Sequence, residues 1–108
     1  MEACIEGNET IDMKDVLTQR VLGHVLISNK LGLHVRAAAK LVQIATGFVS
    51  TISIRYDGKE ADAKSIMSIM MLAATCGVEV ELEANGADAR EAIKAIDKLF
   101  AGRFGESE

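Results

Sequence analysis

Residues 78–83 read Val-Glu-Val-Glu-Leu-Glu, a strict alternation of apolar and acidic side chains. Successive side chains of a strand point to opposite faces, so a period of two specifies a strand with one buried and one wet face. A sheet built around such a strand needs cover on one side only. Other segments fit the same sheet. Residues 21–28 are rich in β-branched and apolar side chains and predict a first strand. Ile52, Ile54 and Tyr56 alternate with Ser53 and Arg55. Asp57-Gly58 then predicts a two-residue hairpin turn into a short strand over residues 59–63.

The cover comes from segments with helical spacing. Ala38, Leu41, Val42 and Ala45 recur on one face of a helix starting at His34, with Gly47 as its stop. Ser65 precedes an apolar stretch over residues 66–72 and suits the N-cap of a short helix that is finished by Gly77. Ala92, Ile93, Ile96, Leu99 and Phe100 form the apolar face of a last helix, with Gly102 as its stop. Asp88 and Glu91 predict a capping box at its start. The order β-α-β-β-α-β-α specifies a two-layer α+β domain with a split β-α-β arrangement. We expect residues 20–104 to form this domain, residues 1–19 an N-terminal extension that is flexible or a short helix, and residues 105–108 a tail. The extension is polar and acidic, with one weak helical pattern at Met13, Val16 and Leu17.

Composition narrows the function. The formal charge of −4 disfavours a general nucleic-acid binder, which needs a basic surface to neutralise phosphates. Cys4 and Cys76 are too far apart to suggest a disulfide framework or a zinc site. His24 and His34 are the only histidines and no acidic cluster accompanies them, so neither a metal nor a cofactor is expected. The longest apolar run, residues 66–75, is far too short to span a bilayer. The first residues lack the basic start and apolar stretch of a signal peptide, so the expected compartment is the cytoplasm.

One segment carries chemistry. In Gly32-Leu33-His34-Val35-Arg36 a strand has ended, the chain turns, and a helix begins. The first amides of a helix lack internal partners and carry partial positive charge, which makes an anion site. Arg36 in that first turn is unfavourable for the helix alone, and an anion would offset the cost. A guanidinium binds phosphate oxygens through paired bonds. Imidazole is a good phosphoryl acceptor, since a neutral ring nitrogen is available near neutral pH. A lone histidine in a loop or at a helix cap is more often structural, and it is the combination with Gly32 and Arg36 that favours chemistry. His24, inside the first strand with no donors beside it, is read as structural or solvated.

The run G-L-H-V-R-A-A-A at residues 32–39 resembles the active-site signature of HPr, the histidine-containing phosphocarrier family of the bacterial phosphotransferase system. K-S-I-M-S-I-M-M-L-A at residues 64–73 resembles that family's regulatory-serine signature. The two stand in the family's order and at a suitable separation, and the resemblance covers about residues 20–104. It implies an open-faced sandwich of four antiparallel strands covered by three helices. It implies that His34 accepts a phosphoryl group on its δ nitrogen from enzyme I, drawn from phosphoenolpyruvate, and passes it to enzyme II A domains, with Arg36 stabilising the phosphate. The chain would then be a carrier in a relay and not an enzyme, and a monomer. Ser65 would be the target of an ATP-dependent kinase, the HPr kinase/phosphorylase, where an organism has one. The run departs from the family at Ala37, where most relatives have proline, and Gln43 and Thr46 stand where many have lysine.

The short helix also places Ile66, Met67 and Met70 close together. Methionine at helical spacing is ordinarily core filler. Two turns cannot bury every side, however, and the resemblance makes these three a docking patch beside His34. Ile69 and Leu72 are expected to face the core, and Glu79, Glu81 and Glu83 to form a solvated face. Two other functions fit the same residues. One is a regulator of this family that acts through its phosphorylation state on kinases or a transcriptional regulator. The other is an ACT-like module in which His34 and Arg36 bind an anionic metabolite without covalent chemistry.

Overall fold

The computed structural model describes residues 19–107. The extension expected over residues 1–19 therefore lies, apart from Gln19, outside the described residues. Strands β1 (Gln19–Leu26), β2 (Thr51–Tyr56), β3 (Lys59–Asp62) and β4 (Glu79–Gly86) form one antiparallel sheet in the order β1-β4-β2-β3. Helices α1 (Val35–Ala45), α2 (Ile66–Met70) and α3 (Ala89–Ala101) cover one face, and a tight turn, Arg103–Gly105, follows α3. This is the expected open-faced α+β sandwich.

The period-two reading explains the sheet. Val80, Leu82 and Ala84 of β4 are buried, as are Ile52 and Ile54 of β2. They meet Ala38 and Leu41 of α1, Ile69 of α2 and Ile96 and Phe100 of α3 in one core. At about 25 cal/mol per Å² of apolar area removed from water, this continuous burial is the main favourable term in folding. The β2–β3 hairpin turns at Asp57 and Gly58, both with positive φ (54° and 76°), as a type I′ turn requires.

Three local expectations are corrected. Helix α2 ends at Met70, with Met71 as its C-cap, so Leu72 belongs to the following turn, although both Ile69 and Leu72 are buried as expected. Asp88 makes no side-chain cap bond. Its carboxylate instead accepts from the amides of Val49 (2.9 Å) and Ser50 (3.0 Å) and from the Ser50 hydroxyl. These bonds, the hydroxyl first, hold its pKa below the ordinary range. A capping-box pattern is local, whereas the loop that competes for this carboxylate is nearly forty residues away in sequence (|i−j| 38 and 39).

The third correction concerns two of the glutamates of β4: Glu79 is exposed as expected, whereas Glu81 and Glu83 are only partly so. Because β4 is central, its wet face has a strand on each side. Arg55 of β2 bonds Glu81 (3.0 Å) and Glu83, Arg20 of β1 bonds Glu83 (2.9 Å), and His24 lies 3.8 Å from Glu81. The face is a ladder of ion pairs. The Arg20 guanidinium, with Asn85 and Arg55, pushes the Glu83 carboxyl down to about 2. A depressed carboxyl pKa contributes stability that is present above the group's usual value of 4.5 and lost as pH falls toward about 2. Carboxyl-detected NMR titration is expected to find the Glu83 midpoint near about 2 and to move it upward in Arg20→Ala. A midpoint in the ordinary glutamate range would mean that the ladder does not form in solution.

Candidate functional site

The turn before α1 depends on glycine. Gly32 has φ +68°, and a Cβ there would stand 2.8 Å from the carbonyl oxygen of Ala74 and 2.9 Å from the Cα of Thr75. Leu33 N–H donates to that same Ala74 carbonyl (3.2 Å). The turn is thus pressed against the chain that follows α2, and only glycine has both the conformation and the room. Leu33 is buried next to it and anchors the entry to α1.

His34 is the N-cap residue of α1, with extended backbone (φ −80°, ψ 177°). Its carbonyl accepts the first intrahelical bond, from Ala38 N–H (2.8 Å). The amides of Val35, Arg36 and Ala37 precede that bond and have no intrahelical acceptor. No acidic residue occupies the first turn, and the His34 ring makes no cap bond. The first turn therefore keeps its partial positive charge, with Arg36 added to it. Alanine at residue 37 leaves the helix intact and is fully buried.

The imidazole is held from the opposite end of the chain. His34 Nε2 lies 2.6 Å from Oε2 of Glu106, and the ring is one-quarter exposed. The amide of Asn29 donates to Glu106 Oε1 (3.1 Å) and to the Gly32 carbonyl (2.8 Å). Asn29 first, then His34, holds the Glu106 carboxyl below its ordinary range. The turn carrying Glu106 is fastened by Lys40 of α1, whose ammonium donates to the Phe104 carbonyl. Nδ1 of His34 makes no hydrogen bond with the described residues.

His34, Arg36 and Glu106 line a shallow depression of about 360 Å³ with Lys30, Leu31 and Ser107. Arg36 is exposed and makes no hydrogen bond or ion pair among the described residues. The arrangement presents an open ring nitrogen, unpaired amides and a guanidinium to one small anion. A depression of about 400 Å³ lies on the wet face of the sheet, beside His24, Arg55 and Tyr56. There His24 and Arg55 face Glu81 and Glu83, and the one further cation of the lining, Lys59, stands among Asp57, Glu60, Glu79 and Glu81, a surrounding that disfavours an anion. His24 sits where its strand position put it, away from the candidate chemistry.

Ser65, Ile66, Met67 and Met70 are not in the depression. They belong to α2, which packs beside α1. The Ser65 hydroxyl caps α2 by accepting from Ser68 N–H (3.2 Å). Ile66, Met67 and Met70 are exposed, together with Met71, the C-cap of α2, and with Leu31 and Val35 near His34. Sequence reasoning did not single out Asn29, Lys40 or Glu106. Asn29 lies in the turn that leads to Gly32, Lys40 is a single lysine within α1, and Glu106 fell in the expected tail. The one signal was Phe104, a lone aromatic residue in a polar stretch, which is hard to place unless it is an anchor.

Comparisons with known proteins agree with this geometry. The family model described as PTS HPr component phosphorylation site matches residues 23–102. A phosphocarrier protein HPr of Cupriavidus necator is 55% identical over 82 residues, covering 76% of this chain and 92% of that one. A phosphocarrier protein NPr of Proteus mirabilis is 42% identical over 83 residues, covering 76% and 92%. Among solved structures, HPr-C-His from Thermoanaerobacter tengcongensis superposes with a TM-score of 0.78 at 45% identity, over 82% of this chain and 99% of that one. The strand order, the turn that delivers His34 and these matches lead to one conclusion: the chain belongs to the HPr phosphocarrier family of the phosphotransferase system.

Proposed function

We propose that His34 takes a phosphoryl group from enzyme I and hands it to an enzyme II A domain, so that the chain is substrate and donor in a relay. The observation that carries this reading is the His34 ring, engaged through Nε2 and open at Nδ1, at a helix start that also presents Arg36. The Nδ1 lone pair attacks phosphorus, the bond from phosphorus to the donor's leaving atom breaks, and the proton on Nε2 stays in place. Negative charge on the moving oxygens faces the amides of the first turn and Arg36. Residues 20–104 serve as the phosphocarrier domain, acting as a cytoplasmic monomer. No described helix is long and apolar enough to cross a membrane.

The test is incubation with enzyme I and labelled phosphoenolpyruvate. A label released by acid and stable to alkali is the expected result. Failure to take up label would favour non-covalent anion binding at the same depression. Arg36→Ala is expected to slow uptake by on the order of 10²-fold or somewhat less, the loss of one fixed donor to a charged transition state. Arg36→Lys should restore part of the rate, since lysine lacks the planar fork. An unchanged rate in Arg36→Ala would remove Arg36 from the mechanism.

Ser65 supports a second use of the chain, regulation by a serine kinase of the HPr kinase/phosphorylase type and through it of a transcriptional regulator. The support is its place at the start of α2, beside exposed Ile66, Met67 and Met70, the proposed docking patch. A phosphoserine adds about −1.5 to −2 charges, which a helix start tolerates. The same charge next to an apolar patch opposes an acidic partner and must be desolvated on docking. Ser65→Asp is expected to raise the KM for phosphorylation by enzyme I on the order of tenfold, with the circular dichroism spectrum and melting temperature nearly unchanged. An unaltered KM, or a loss traced to unfolding, would end this account.

A further inference from the structure

Glu106 lies just outside the span matched by the family model, yet its carboxylate touches the ring at the centre of the site. A carboxylate accepts hydrogen bonds and cannot donate them. At 2.6 Å from Nε2, Glu106 therefore requires the proton on Nε2 and leaves the lone pair on Nδ1. This is the same division of labour as in other sites where a carboxylate fixes the tautomer of a reacting imidazole.

The contact is built from several parts of the chain. Asn29, fully buried, donates both to the Gly32 carbonyl and to Glu106, so one side chain ties the turn before His34 to the carboxylate behind it. Its own Oδ1 is buried without a hydrogen bond among the described residues. A buried acceptor left unpaired opposes folding, which argues that Asn29 is there for orientation. Behind Glu106, the turn is pinned by buried Phe104 and by the Lys40 ammonium on the Phe104 carbonyl.

We propose that Glu106 is a positioning residue for phosphoryl transfer. It holds the Nε2–H form of His34 so that Nδ1 is the acceptor, and it retains that proton once the ring carries phosphate. The role rests on the reading of His34 as the phosphoryl acceptor. It also supplies the second half of the reaction. A phosphorylated imidazole that keeps its Nε2 proton departs as a neutral ring when the phosphorus–nitrogen bond breaks, whereas one that has lost the proton must depart as an anion. Glu106 favours the first.

The experiment compares wild type, Glu106→Ala and Glu106→Gln. Long-range 1H–15N spectra of the imidazole, recorded where the ring is neutral, report which nitrogen carries the proton. Transfer kinetics with enzyme I and phosphoenolpyruvate report kcat and KM. In Glu106→Ala the share of the Nδ1–H form is expected to rise about tenfold, the loss of one charge-assisted hydrogen bond. Its kcat should fall by about tenfold with little change in KM, because the carboxylate no longer stabilises the Nε2–H ring as it gains positive charge in the transition state, and Glu106 does not act through partner binding. Glu106→Gln keeps the size and one acceptor oxygen and should fall between the two. An Ala variant with wild-type ring spectra overturns the proposal, and so does one with altered spectra and an unchanged kcat. A wild-type protein that takes up no acid-labile phosphate defeats the reading of the site and the positioning role with it. The two failures are distinguishable, because the ring spectra need no transfer.

Discussion

His34→Ala is expected to take up no acid-labile phosphoryl group from enzyme I and phosphoenolpyruvate, while His24→Ala takes it up at the wild-type rate. The two histidines differ in surroundings as well as in exposure. His24 stands on the wet face of β1, facing Glu81 at 3.8 Å. Carboxylates there repel a phosphoryl dianion, and the neighbouring Arg55 is engaged by Glu81 and Glu83. His34 has beside it the first-turn amides of α1, which lack intrahelical acceptors, and Arg36, which makes no hydrogen bond or ion pair among the described residues. The alanine variant should keep its fold, because the His34 side chain caps nothing and only its backbone carbonyl closes the first turn of the helix. Circular dichroism checks that point. Acid-labile label on His34→Ala, or its loss from a folded His24→Ala, would refute the assignment.

Phe104→Ala is expected to cost about 3–5 kcal/mol of stability, the range for deleting a buried aromatic side chain. Phe104 is buried, and its ring meets Phe100 edge-on at 4.8 Å between centroids. Its backbone is left-handed, with φ values of 55°, 56° and 78° at Arg103, Phe104 and Gly105. That conformation costs about 1–2 kcal/mol for each non-glycine residue. Burial of the ring is what offsets it. Without the ring the turn has no reason to keep this shape, and Glu106, two residues on, should leave His34. Urea unfolding measures the first effect, and the 15N spectrum of the His34 ring measures the second. A loss below about 1 kcal/mol would place Phe104 outside the core, since surface substitutions stay near that level or under it.

The layers were legible in the sequence because their signals are local. The alternation over residues 78–83, the Asp57-Gly58 turn and the spacing of Ala38, Leu41 and Ala45 each depend on a few adjacent residues. The same holds for the turn of Gly32 into His34 and for the Ser65 cap, which formed as expected. Side-chain period and turn chemistry act over one or two turns of chain, so sequence displays them directly.

The contacts hidden from the sequence involve partners distant along the chain. The pattern of β4 made its glutamates look solvated, and only the strand order β1-β4-β2-β3 set Arg20 and Arg55 on either side of Glu83. Asp88 had the residues for a capping box, and Val49 and Ser50 in the loop between α1 and β2 took its carboxylate instead. Glu106 lies 72 residues from His34 and touches it because Phe104 turns the chain back onto the core. A carboxylate bonds whichever donor the folded chain brings within about 3 Å. Residue types and local turns at the histidine follow from neighbouring residues, whereas the carboxylate that holds its ring follows from the packing of one phenylalanine.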